Sequence, residues 1–427
     1  MLTFTMGLLL LIGQGDKAAP HDVWPQWRGP SADSVAPGKN LPIKWSQTEN
    51  LAWKTPLPGW GTSTPAIWKD AVFVTTQVDE RKLLLLRIDA KAGKIVWQRE
   101  IGEDTPLRTG PHGVGRYMNE HNMASPSPVT DGKHVWAHFG NGDFACFDFA
   151  GEKIWSNNLA KDHGVYSIWW GHANSPVLVG DLIVSVCMQD PKGGGKNYLV
   201  AHDKLTGKQK WFTPRDYGAK EEPADSYTTP LLFDNKGKPE IIVFGANVVD
   251  AYDPANGKRH WLCKPFTGNR VISGPTLVGD TVYAIQGMSG PLFAIKAGGA
   301  DDTTATHVRW KYPGKKTNPD ASSPVFANGL VFMANNKGLA ICIDADTGAE
   351  VWKEQLGEDV RATPLVADGK IYFLTKPGKA IIIEASREFK IVQRNDLGEE
   401  IIASPAAAHG SLFIRTKSHL YRIGSAK

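Results

Sequence analysis

Thr64-Pro65-Ala66-Ile67-Trp68-Lys69-Asp70-Ala71-Val72-Phe73-Val74-Thr75 opens a unit that the chain repeats almost to its end. A Ser/Thr-Pro step starts an apolar run, a Gly/Asp turn follows, a second apolar run comes next, and a Gly-then-Trp turn closes the unit. The same step recurs at Ser127-Pro128, Ser175-Pro176, Thr229-Pro230, Ser323-Pro324, Thr363-Pro364 and Ser404-Pro405, with Gly274-Pro275 as a variant, making eight copies. Successive prolines lie 63, 48, 54, 45, 49, 40 and 41 residues apart. A period of roughly 40–50 residues filled with short strands marks propeller blades. The expected fold is therefore all-β, an eight-bladed propeller of four-stranded antiparallel blades.

In the first blade the strands are read at residues 64–68, 71–76, 83–89 and 95–100. Proline suits the first position of a strand, where its missing N–H breaks no ladder bond. Second strands such as Val72-Phe73-Val74, Leu330-Val331-Phe332 and Leu412-Phe413-Ile414 are β-branched and aromatic, as buried pleated surfaces favour. The turn before the fourth strand is the most specific element. Asp-x-x-x-Gly-x-x-x-Trp occurs at Asp89/Gly93/Trp97, Asp203/Gly207/Trp211, Asp253/Gly257/Trp261 and Asp344/Gly348/Trp352, and one residue shorter at Asp148/Gly151/Trp155. Asp accepts backbone N–H bonds, Gly supplies positive φ, and Trp projects from the outer strand. Trp53, Trp97, Trp155, Trp211, Trp261, Trp310 and Trp352 are expected to lie across the seam to the next blade, each indole N–H on a carbonyl.

The copies deviate in informative places. Blade 5 carries an insertion at 296–306, and blade 7 has neither Gly nor Trp in 387–393. Blade 8 stops at Tyr421-Arg422-Ile423 and lacks a fourth strand, while Leu51-Ala52-Trp53-Lys54 reads like the outer strand Glu350-Val351-Trp352-Lys353 with no blade before it. The strand around Trp53 is therefore expected to complete blade 8, removing the open edges of the ring. The chain divides on this reading into an export segment (1–20), an N-terminal extension (21–44) and one propeller (45–427).

Bulk properties narrow the class. A closed ring is one domain even at 427 residues, and Gly 44, Pro 28 and Trp 15 suit many short strands joined by turns. The formal net charge of +4 comes from scattered basic residues, which argues against a nucleic-acid footprint. The apolar stretch 1–12 is too short to span a bilayer and suits an export signal, predicting a periplasmic or extracellular protein. No Lys or Arg precedes it, and a disordered cytoplasmic tail is the alternative. No Cys follows it, so a lipid anchor is not expected. Cys146, Cys187, Cys263 and Cys342 are far apart and read as buried free thiols rather than a disulfide framework.

The Asp-x-x-x-Gly-x-x-x-Trp turn with the Ser/Thr-Pro strand start resembles the PQQ-like, or quinoprotein-like, β-propeller repeat family over about residues 45–425. That family includes PQQ-dependent alcohol dehydrogenases and the propeller lipoprotein of the outer-membrane barrel-assembly machinery. Trp24-Pro25-Gln26-Trp27-Arg28-Gly29-Pro30 resembles a segment that precedes such propellers in bacterial secreted proteins. Catalytic and non-catalytic members share the motif, and fold does not carry function across.

Loops leading into the inner strands gather at one mouth of the central channel, where converging polar groups mark a candidate binding site. The candidates are Trp60, Arg116, His121, Asn122, Trp169, Trp170 and His172, with Asn174, Asp225, Tyr227, Arg270, Asp320 and Arg361. The long segment 102–126 also holds Arg108, His112, Tyr117 and Glu120. His112, His121 and His172 fit no established metal spacing. No G-x-S-x-G, H-E-x-x-H or P-loop is present. Two readings follow, beside a third that makes the chain a sensor or accessory domain acting next to a separate enzyme. The first is an exported, non-enzymatic and monomeric propeller, with no predicted cofactor and no catalytic residue, that binds a protein, peptide or glycan through its channel face or blade edges. The second, implied by the resemblance, is a PQQ- and Ca²⁺-dependent alcohol dehydrogenase, with PQQ on Trp60, Trp169 or Trp170 and Asp225 or Asp320 as base. The adjacent cysteine pair of those dehydrogenases is absent here.

Overall fold

Tight turns after every short apolar run make each unit fold back on itself, so consecutive strands pair antiparallel. The computed structural model describes residues 19–79, 81–103 and 120–424. Blade 1 is formed by Ala66–Trp68, Ala71–Val78, Lys82–Asp89 and Ile95–Glu103. Eight such antiparallel sheets make the propeller. Two carry an extra strand: Val23–Trp24 on the inner edge of blade 1, and Asp301–Asp302 running parallel to Arg259–Cys263 on the outer edge of blade 4. In blade 8, Leu51–Pro56 pairs antiparallel with His419–Ile423, bringing the two ends of the chain into one sheet. Among the described residues no helix is long and apolar enough to cross a membrane.

Inner strands begin two residues later than the sequence suggests, because Thr64 and Pro65 precede Ala66–Trp68. The backbone N–H of Thr64 is directed to the neighbouring blade, to the hydroxyl of Ser127, and so is not available to a ladder.

Outer strands are shaped by a bulge. In every blade the pairing of third and fourth strands shifts register beside the Trp position, as between Lys153 and Trp155 or between Leu51 and Trp53. A bulge re-aims a side chain. Here it turns the Trp over the next blade. Trp53 donates to Ala90 O, Trp97 to Phe149 O, Trp155 to Lys204 O, Trp211 to Pro254 O, Trp310 to Ala345 O and Trp352 to Ser386 O, at 2.8–3.2 Å. Trp261 departs from the expected pattern. Its indole donates to the Glu240 carboxylate of its own blade at 2.8 Å, and it is fully buried. The blade 5 insertion explains this, since its Asp301–Asp302 strand pairs with Trp261 and occupies the seam.

Gly207 shows why the turn is so invariant along the chain. Its φ is +68°, and a Cβ there would lie 2.7 Å from the Trp155 ring. Gly207→Ala is expected to cost about 1–3 kcal/mol from backbone strain, with the ring contact adding to it. A urea midpoint within error of the unsubstituted protein would contradict this.

Apolar side chains fill the gaps between blades rather than one central core. Val325 and Phe332 of blade 6 meet Ile371, Phe373 and Ile381 of blade 7 in one such layer. All four cysteines are free and buried, and burial pushes the Cys342 thiol up to about 12.

Candidate functional site

The Ser/Thr of each Ser/Thr-Pro step has a role that the proline argument overlooked. The Ser127 hydroxyl accepts the Thr64 N–H, Ser175 accepts from Ser127, and Thr229 accepts from Ser175, at 2.9–3.0 Å. On the other side of the ring Ser323 accepts from Gly274, Thr363 from Ser323, and Ser404 from Thr363, at 2.9–3.3 Å. Six of the eight seams are thus stitched around the channel axis. The signal was present in the sequence as the near-constant hydroxyl residue before proline.

Gly274, the one exception, is explained by the N-terminal extension. A Cβ at 274 would fall 2.6 Å from the Cη2 of Trp27. Residues 21–36 run across the far end of the channel, and Trp27 occupies the space that a hydroxyl side chain would need. Asp22 O accepts the N–H of Lys69 in blade 1, Pro25 O that of Thr130 in blade 2, and His21 O that of His409 in blade 8. Ser34 and Ala36 bond to Val366 of blade 7. The Arg28 guanidinium donates to Pro275 O and Thr276 Oγ1 in blade 5 and to Pro324 O in blade 6. Arg28 is buried, and desolvation pulls its pKa down to about 10. Six of the eight blades are tied by this one segment, so the channel is blind at that end.

At the opposite end lies a cavity of about 230 Å³. Trp27 forms part of its lining, with Thr64, Ser127, Ser175, Thr229, Thr363 and Ser404 of the hydroxyl ring. Of the sequence candidates, His121, Trp170, Tyr227, Arg270, Asp320 and Arg361 line it, together with Glu120. Arg270 organises one side. It stacks on the Trp170 ring at 4.8 Å and reaches Glu222 at 3.0 Å and Asp320 at 3.4 Å. Arg361 organises the other, 3.0 Å from Asp359 and 4.0 Å from Glu120, which also holds Lys376 at 2.6 Å. Arg270, Arg361 and Lys376 are thereby each paired with a carboxylate, a geometry that fixes the side chains more than it stabilises the fold.

The remaining candidates support the loops from behind the wall. Asn122 holds Trp60 O, and Asn174 holds Thr228 O. The Trp60 ring is covered by the Lys417 ammonium at 5.0 Å. Asp225 is buried behind Trp169, whose N–H it accepts at 2.9 Å while its other oxygen accepts from Asp190 N–H. Burial raises its carboxyl to about 7 against those hydrogen bonds. His172 is buried too, its ring 4.7 Å from His138 and from Tyr166, and desolvation lowers it to about 3. His172 does not line the cavity as His121 does, and the described residues contain no group of three His, Cys, Asp or Glu side chains that could hold a metal ion. Arg108, His112, Arg116 and Tyr117 lie outside the described residues.

The described residues of this set do not fit PQQ held through Ca²⁺. The mouth's carboxylates are committed to Arg270, Arg361 and Lys376, one face of Trp170 is covered by Arg270, and the four thiols are separately buried.

Blade count, the Trp seam and the Ser/Thr-Pro ring together define an eight-bladed propeller of the PQQ-like repeat type. The chain belongs to the family described as outer membrane protein assembly factor BamB, whose profile matches residues 34–224, 118–310 and 299–388. It is similar to the outer membrane protein assembly factor BamB of Yersinia pestis, 24% identical over 256 residues that make up 55% of this chain and 59% of that protein. It is also similar to the tetrathionate hydrolase of Acidithiobacillus ferrooxidans, 27% identical over 173 residues, 34% of this chain and 33% of that one. The chain spans between 18% and 59% of the length of the curated relatives it matches. The quinohemoprotein alcohol dehydrogenase of Comamonas testosteroni superposes with a TM-score of 0.70, covering 97% of this chain and 83% of that structure at 12% identity. That likeness shows the fold alone.

Proposed function

We propose that this chain is an exported binding propeller, not an enzyme, and that its ligand, a group on a protein, peptide or glycan, enters the open mouth of the channel. The blind channel carries this reading: Trp27 and Arg28 seal one end, and the polar side chains at the other are locked in place by ion pairs. A mouth so fixed is pre-organised, which lowers the ordering cost of binding. Membership of the outer membrane assembly factor family supports a protein-binding role in an exported setting.

The alternative, a PQQ- and Ca²⁺-dependent dehydrogenase, draws its support from the likeness in fold to the quinohemoprotein alcohol dehydrogenase. Two measurements separate them. Native mass spectrometry of the purified protein and of an Arg361→Gln variant is expected to find a ligand bound to the first and depleted from the second. Mixing with PQQ and Ca²⁺ is expected to yield no dye-linked alcohol oxidation. Oxidation at an ordinary enzymatic rate, on the order of 1–10³ per second, would replace the binding reading with the enzymatic one.

A further inference from the structure

We propose that the channel mouth grips its ligand by a carboxylate group. The inference rests on the reading of the mouth as the binding site and deepens it. A hydroxyl offers one donor and two acceptor lone pairs. In the ring, Ser127, Ser175, Thr229, Thr363 and Ser404 each use a lone pair to accept a backbone N–H from the preceding blade. Their own hydrogens go to no acceptor among the described residues, and all five hydroxyl residues line the cavity. Arg270 adds another such donor. Its Nη atoms face Glu222 and Asp320, but its Nε is buried without a partner, and the side chain is only 9% exposed.

Three side-chain acceptors of the described lining are, by contrast, already supplied. Asp320 accepts from Arg270 and from Met288 N–H, Glu120 from Lys376, and the Tyr227 hydroxyl from Trp170 N–H. Each ring hydroxyl thus keeps one hydrogen and one lone pair, and the Arg270 Nε–H tips the described lining toward donors, so a complementary ligand brings oxygens. Charge narrows the class. Arg270 and Arg361 line the cavity with Asp320 and Glu120, so the lining is close to neutral. A dianionic phosphate or sulfate would meet two carboxylates with no excess of positive charge. A carboxylate carries one charge on two coplanar oxygens, one to accept from the Arg270 Nε–H and the other from the ring hydroxyls. A cavity of about 230 Å³ admits that group and a few adjoining atoms, leaving the rest of the ligand outside. A small organic acid or the C-terminus of a peptide supplies the same chemistry.

The test is calorimetric titration of the full chain with benzoate, with one peptide in its free-acid and C-terminally amidated forms, and with inorganic phosphate, sulfate and glucose. Benzoate or the free-acid peptide is expected to bind, and the amide about tenfold more weakly or not at all. If benzoate alone binds, the source is a small acid; if the free-acid peptide is the tighter, it is a chain terminus. Arg361→Gln, at a partly exposed position, is expected to weaken carboxylate binding about tenfold with an unchanged circular dichroism spectrum, and Arg270→Lys, which keeps the charge and loses Nε, by a similar factor. Tighter binding of phosphate, sulfate or glucose than of benzoate or the free-acid peptide would overturn the proposal. So would the failure of every carboxylate at millimolar concentration. If the carboxylates fail while native mass spectrometry still shows a ligand lost in Arg361→Gln, the carboxylate falls and the channel reading stands. If no such ligand is found either, both fall.

Discussion

A chain lacking residues 45–57 is expected to lose its single cooperative unfolding transition. Without Leu51–Pro56, the strand His419–Ile423 becomes an open edge, a template for aggregation. Three further ties go with it. The Trp53 indole leaves Ala90 O of blade 1, and Trp45 leaves its stack on Tyr372 of blade 7. Lys54 leaves Glu399, a carboxyl that burial alone would raise but that donors from Lys54, Tyr421, Thr416 and His419 hold near 2. Removing one well-packed Trp costs about 3–5 kcal/mol. Losing a Trp and the strand that carries it takes most of the 5–15 kcal/mol that separates a native domain from its unfolded chain. The expected record is a broad urea transition in which Trp fluorescence and far-ultraviolet circular dichroism no longer coincide, with oligomers at micromolar concentration. A Trp53→Ala control keeps the strand and is expected to remain cooperative, with stability lower by about 3 kcal/mol. Coincident, unshifted transitions in the deletion would show that the ring does not depend on this strand.

Most of the architecture was legible because the fold is written eight times. Period, turn chemistry and β-branched runs agree in most copies, and such agreement across levels is what specifies one structure. The bulge that aims each Trp was not legible, since a bulge depends on the pairing register and not on the residues alone. Trp261 was misplaced for a related reason. The insertion at 296–306 was visible, but only a folded chain shows that Asp301 and Asp302 add to the preceding blade rather than their own. The mouth was half legible. Arg270, Asp320 and Arg361 were found because they sit where the loops converge, whereas Asn122, Asn174, Asp225 and His172 occupy the same loops and turn inward to hold them. Loop position predicts proximity to the channel, not the direction of a side chain. Trp27 was missed as a cavity residue, although two clues were in view: a Trp-rich segment ahead of the ring, and one Gly where every other blade has Ser or Thr.

Acidification from pH 6.5 to 5 is expected to cost the protein about 3 kcal/mol, through histidines buried between blades 2 and 3. His138 and His172 lie ring to ring at 4.7 Å, with Tyr166 against both, and His202 packs nearby on Phe144. Desolvation holds all three below the ordinary histidine value of 6.5: His172 near 3, His202 near 4, and His138 well below its usual range with His172 and His202 adding like charge. The other groups facing them are Tyr166, Tyr198, Cys187 and His163, none of which offers a negative charge in this range, since burial raises the phenols and the Cys187 thiol. Because each histidine binds its proton more readily unfolded than folded, its contribution is intact above pH 6.5 and is lost as the pH falls toward the folded value. Asp225 works in the opposite sense. Its folded carboxyl titrates near 7, so it keeps a proton that the unfolded chain has already released, and its contribution grows on acidification. Unfolding at pH 5–6.5 therefore takes up a net of about one and a half protons on average, worth about 1.4 kcal/mol each per pH unit. Urea midpoints at pH 7 and pH 5 measure the difference directly. A His138→Phe variant, which fills the space with an apolar ring, is expected to flatten the slope by about one proton and to resist acid better than the parent, even if it is slightly less stable at pH 7. A pH-independent midpoint would mean that these rings are hydrated in solution, and that water holds their charge as readily in the folded protein as in the unfolded chain.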